Sequence, residues 1–194
     1  MTDIFPVAII RFTTKEVMQL NVMQTASALT LYTIIIVAVV QDLRSMKISN
    51  RLILTGLLLS LAFGFILGGV PRIPHILLNI SFPVIVLYLL YLLGVLGAGD
   101  IKLFSIIGGF TNLKTLTGCI VTAFVLGAAA GIVKMLYNHN LRFSLFKGQQ
   151  FVKGLFLGNV CSYRETMAEE RNLMHFSPAI LAGLLVTMGL DYFC

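Results

Sequence analysis

Long apolar runs alternate with short polar clusters along this chain, and the spacing of the runs is that of membrane helices. The pattern predicts six segments: residues 23–40, 52–70, 76–96, 101–110, 115–137 and 176–190. Gly68, Gly69 and Pro71 close the second, and Asn79, Ser81 and Pro83 interrupt the third. A helix needs about 20 residues to cross a bilayer, so the fourth run is too short to cross on its own. It fits only where it packs inside protein or borders a wet cavity. Thr111, Asn112, Leu113 and Lys114 separate it from the fifth. The expected fold is all-α, a polytopic membrane helix bundle of about six transmembrane segments. It forms one domain over residues 1–194, with an extension at 1–21 and a loop at 138–175.

Composition sharpens this picture. The chain is 58% hydrophobic and 11% charged, against about 25% charged residues in a typical soluble domain. Its net charge of +6 does not point to nucleic acid, because the basic residues form no run. They lie between apolar segments, as topology signals do. Ten of the 14 Lys and Arg, including Arg44, Lys47, Arg51 and Lys102, fall on one face by this count. That face is expected to be cytoplasmic, with both termini outside. Loop 138–175 falls there too, with a basic amphipathic stretch suited to anionic lipid and a solvated run holding Glu165, Glu169 and Glu170. The N-terminus does not read as a cleavable signal, and its apolar piece at 4–10 suggests an interfacial helix. Cys119, Cys161 and Cys194 are far apart with no Cys-x-x-Cys spacing, so no metal site is expected.

Against that background two acids stand out. Asp42 ends the first apolar run and Asp100 opens the fourth, while the other two aspartates, Asp3 and Asp191, lie at the chain's ends. A carboxylate at the edge of hydrocarbon is costly and marks a functional candidate. Two crossings separate Asp42 from Asp100, and an even number returns the chain to the same surface. Two carboxylates in one site do not both ionise easily, so one retains a proton. Such a pair can activate water and polarise a peptide carbonyl. Gly97 and Gly99 leave room beside Asp100. The positive end of the fourth helix favours an ionised Asp100, which inclines it toward the base. The plain alternatives are a helix cap for Asp100 and an ordinary juxtamembrane residue for Asp42. Lys102 reads as a snorkelling anchor, and His75, His139 and His175 are scattered without partners.

The residues around both aspartates carry a resemblance. Asp42-Leu43-Arg44-Ser45-Met46-Lys47-Ile48-Ser49-Asn50 resembles the first signature of type IV prepilin peptidases, an aspartate and a basic segment before Ile-Pro-Asn. Ser49 stands where that pattern has proline. Gly97-Ala98-Gly99-Asp100-Ile101-Lys102-Leu103 resembles the second, Gly-x-Gly-Asp followed by x-Lys-Leu. Phe176-Ser177-Pro178-Ala179-Ile180 is similar to the final segment.

The resemblance implies an aspartic membrane endopeptidase in a prokaryotic cytoplasmic membrane. It would cut leaders from prepilins or pseudopilins, working beside a pilus or secretion machinery. Asp42 and Asp100 would be the catalytic positions, with Gly97, Gly99, Lys102 and Asn50 in support and no cofactor. Larger members add a region with paired Cys-x-x-Cys motifs associated with methyl transfer. This chain looks like the short, peptidase-only form, as in Tad-type pilus systems. Two other readings compete: an intramembrane protease of the presenilin or signal-peptide-peptidase type, and a transporter or assembly scaffold. The small residues Gly127, Ala128, Ala129, Ala130 and Gly131 offer a helix-packing face, either for a substrate helix or for the chain's own.

Overall fold

The computed structural model describes residues 5–93, 96–137 and 176–193. Over these residues it is helical throughout, with no strand. The helices are α1 (Phe5–Ser45), α2 (Asn50–Gly68), α3 (Ile73–Leu92), α4 (Ala98–Phe110), α5 (Leu113–Tyr137) and α6 (Ser177–Phe193). A 3-10 turn at Val70–Arg72 joins α2 to α3. Four stretches are long and apolar enough to cross a membrane: Asn21–Ser45, Asn50–Gly68, Val70–Leu92 and Leu113–Val133. The expected membrane helix bundle is therefore observed. The reading of loop 138–175 lies outside the described residues.

The element limits differ from expectation in two informative places. The expected short N-terminal helix is continuous with the first segment as the single helix α1. No glycine or proline occurs from Val7 to Ser45, so nothing breaks the helix, and Pro6 sits in the first turn where its missing N–H costs nothing. α4 begins at Ala98, three residues earlier than predicted, because the Gly-x-Gly-Asp stretch is itself the helix start.

The short α4 is the centre of the bundle. From Leu103 to Gly109 every residue is buried, and Leu103, Phe104, Ile106 and Ile107 have no exposed surface. A helix apolar all round belongs inside protein, so 13 residues suffice. Two glycines let it approach its neighbours. A Cβ on Gly108 would overlap the Asn79 carbonyl oxygen of α3, and one on Gly109 would overlap Ser60 of α2. The Asn79 amide also donates to the Thr111 carbonyl at 3.1 Å, tying α3 to the end of α4.

α5 and α6 pack antiparallel as a second unit. A Cβ on Gly183 would lie 2.8 Å from the Ala123 amide nitrogen, so backbone approaches backbone. Thr122 and Thr187 are hydrogen-bonded across this seam at 3.1 Å. Gly127 faces Phe176, whereas Ala128, Ala129 and Ala130 are exposed. Part of the small-residue face is thus filled from within the chain. Outward apolar residues such as Ile85, 74% exposed, give α3 the surface that lipid covers.

Candidate active site

Asp42 lies in the last turn of α1. The chain leaves that helix through Met46, which takes the left-handed conformation with φ 53° and whose N–H donates to the Asp42 carbonyl at 2.8 Å. This is a helix end of the type glycine usually makes. It turns the backbone sharply, so that Lys47, Ile48 and Ser49 run back toward α2. The Ser49 N–H donates to the Gln41 side-chain oxygen at 3.1 Å, pinning this loop to α1.

Ser49 itself has φ −64° and ψ 129°, which is proline's own range. The loop therefore keeps the backbone that a proline would impose. It gains an N–H, and that N–H is used.

Asp100 lies in the first turn of α4, outside the four long spans. Gly97 is the N-cap and Asp100 the third helical residue. Its Oδ2 accepts from the Gly97 N–H at 3.2 Å. This is the return half of a capping box. Asp100 does cap, but from inside the helix, and the bond leaves its second oxygen uncommitted to Gly97. A Cβ on Gly97 would sit 3.1 Å from that same Oδ2, so the glycine keeps the flank of the carboxyl clear. Gly99 serves differently: a Cβ there would lie 3.2 Å from the Ile48 Cδ1. The second signature thus packs directly on the first.

Lys102 and Asn50 complete that junction. The Lys102 Nζ donates to the Asn50 Oδ1 at 2.9 Å, at an exposed position. The pair links α4 to the first turn of α2 and holds the ammonium at the surface, in keeping with an anchor. Arg44, Lys47 and Arg51 are exposed on the same end of the bundle. His75 is exposed, Cys119 is fully buried, and His139, His175, Cys161, Cys194 and the loop glutamates lie outside the described residues. Among the described residues no group of three His, Cys, Asp or Glu could hold a metal ion.

The electrostatics reverse one expectation. Burial pushes the Asp100 pKa up to about 6, the Gly97 N–H lowers it somewhat, and the negative charge of Asp42 raises it again. The helix N-terminus favours the anion, but desolvation outweighs it, so Asp100 keeps its proton to a higher pH than an ordinary aspartate, which favours the acid role over the base. The Asp42 contribution also means that the two carboxyl groups, 58 positions apart, feel each other across the site.

One neighbour of the pair was not singled out as a site residue. The Ser177 hydroxyl, on the first residue of α6, donates to the Asp42 Oδ2 at 2.5 Å. Ser177 has no exposed surface. The only signal in the sequence was its place in the Phe-Ser-Pro-Ala-Ile segment.

Comparison with curated proteins and with solved structures found no match. The type IV leader peptidase family matches residues 29–132. That stretch takes in just over half of the chain, from the membrane part of α1 through most of α5, and includes Asp42, Asp100 and the junction between their flanking segments. The chain therefore belongs to the type IV leader peptidase family.

Proposed function

We propose that this membrane peptidase cuts the basic leader from type IV prepilin or pseudopilin-like precursors, using Asp42 and Asp100 as an aspartyl dyad. The observation that carries the reading is the junction of their flanking segments: Gly99 packs on Ile48 and Lys102 bonds to Asn50, which brings the end of α1 with Asp42 and the start of α4 with Asp100 to one end of the bundle. Asp42, as carboxylate, takes a proton from water, and the resulting hydroxide attacks the scissile carbonyl. Asp100, as acid, donates to the carbonyl oxygen and completes a tetrahedral diol. The proton on Asp42 then passes to the leaving amine as the C–N bond breaks, and a diol hydroxyl returns its proton to Asp100, so the product is a carboxylic acid and both aspartates are restored. No covalent intermediate forms.

Location supports cleavage beside a membrane helix and not within it. Asp42 is three residues from the end of its helix and Asp100 three residues into its own. The basic flank of Arg44, Lys47 and Arg51 supports a cytoplasmic placement of this end, in a prokaryotic inner membrane, where a precursor's basic leader would lie. The chain carries three cysteines and no Cys-x-x-Cys pair, so the reading is limited to hydrolysis, without methyl transfer.

Asp42→Asn and Asp100→Asn each abolish leader removal from a co-expressed precursor while the protein still inserts, as read by N-terminal sequencing of the precursor. Normal processing by either variant refutes the dyad.

A further inference from the structure

The Ser177–Asp42 hydrogen bond is more than a tie between helices. We propose that Ser177 is a positioning residue for the dyad: its hydroxyl holds the Asp42 carboxylate in one orientation, occupying Oδ2 and leaving the other oxygen to meet the attacking water. This inference rests on the reading of Asp42 and Asp100 as the catalytic pair.

Four observations carry it. The bond is 2.5 Å long, the short end of the range for a hydroxyl donating to a carboxylate. Among the described residues, Ser177 is the one side chain hydrogen-bonded to Asp42. Ser177 is fully buried, so water does not compete for its hydroxyl. Its seat is fixed on both sides. The Phe176 ring lies 5.4 Å from that of Phe124 and fills the space beside Gly127, while Ile180, one turn on, is fully buried.

Local geometry also frees the hydroxyl for this use. A serine within a helix commonly donates to the carbonyl four residues back. Ser177 is the first residue of α6, so no carbonyl of its own helix stands there, and the proton goes to α1.

The chemical consequence is directional. A carboxylate that activates water must keep one oxygen bare and aimed. Left alone, Asp42 is free to rotate about its last torsion, which is broad. It is also free to share a proton with Asp100 through either oxygen. A donor on Oδ2 removes those choices. Ser177 never touches the substrate in this scheme, so its loss impairs turnover and not binding.

The test is steady-state cleavage of a synthetic precursor by the purified full-length protein in detergent, with thermal unfolding measured in parallel. Ser177→Ala is expected to lower kcat about 10- to 100-fold, the worth of one hydrogen bond to a charged group, with KM within about twofold. Ser177→Thr and Ser177→Val have the same shape and differ by a hydroxyl. The threonine variant is expected to turn over at least about tenfold faster than the valine variant. Equal rates for these two, or a wild-type kcat for Ser177→Ala, overturn the proposal. So does a loss of rate in Ser177→Ala that appears in KM alone or follows a lowered Tm. With Asp42→Asn inactive, any of those results removes the Ser177 role and leaves the dyad standing. Full cleavage by Asp42→Asn overturns the dyad itself.

Discussion

Replacing Asp100 by asparagine should stabilise the protein at neutral pH while abolishing its activity. The folded carboxyl has a pKa of about 6 against an ordinary 3.8, so the folded state holds the proton more tightly than the unfolded chain does. Stability from this group is present in full below pH about 4 and is lost as pH rises through about 6. At pH 7 the folded protein therefore carries a buried anion at a cost of about 2–3 kcal/mol, two pKa units at 1.36 kcal/mol each. Asparagine has no such anion, and its side-chain oxygen still accepts from the Gly97 N–H. Asp100→Asn should unfold about 5 °C or more above the parent at pH 7, and the gap should close toward pH 4. In an Asp42→Asn background the gap should narrow but persist, because burial is the larger cause and the Asp42 charge the smaller. A differential scan in detergent from pH 4 to 7.5 reads all of this. A variant no more stable than the parent at pH 7, or a gap that stays constant with pH, would refute the reasoning.

Other outcomes follow from the same geometry. If Asp100 supplies a proton, kcat/KM should fall as pH rises through about 6 in the free enzyme, while the corresponding limb of kcat lies higher once substrate displaces water; a flat profile from pH 5 to 8 would rule that out. Gly108→Ala should destabilise by about 1–3 kcal/mol and reduce cleavage, since the new methyl collides with the Asn79 carbonyl oxygen. Gly189→Ala, with nothing within 4 Å of the added methyl and a helical backbone that alanine prefers, should leave cleavage unchanged and stabilise by up to about 1 kcal/mol, and melting curves of the pair make the comparison. Ser49→Pro should change stability by less than about 1 kcal/mol, because proline fits the backbone and reduces unfolded-state freedom but loses the N–H donated to Gln41.

Much of the fold was legible because hydrophobic runs and glycine or proline breaks are local signals. α2, α3 and α5 begin within three residues of where the pattern placed them. The two aspartates were legible for a different reason: charge at the edge of hydrocarbon is rare, and counting crossings is a discrete argument. The misjudged points each involve a quantity that a string of letters does not carry. The role of Asp100 turned on burial by helices remote in sequence, which outweighed the local helix dipole. Gly99 was read as room beside Asp100, and that it is the Ile48 side chain that packs against it was not legible. Ser177 lies 135 residues from Asp42, and a lone serine before a proline has no periodicity to betray its partner.

The position of α4 has a consequence for how the protein comes into being. Gly99, Lys102, Ile106, Gly108 and Gly109 all meet residues of α2, α3 or the loop between α1 and α2, all of which leave the ribosome earlier. Its berth is therefore already built when this helix emerges, and it need never be stable alone in lipid. The α5–α6 pair closes afterwards and brings Ser177 to Asp42 last. On the proposed role of Ser177, full turnover waits until α6 has docked, so a chain that has not yet added α6 would cut its neighbours only slowly while the membrane around it is still being filled.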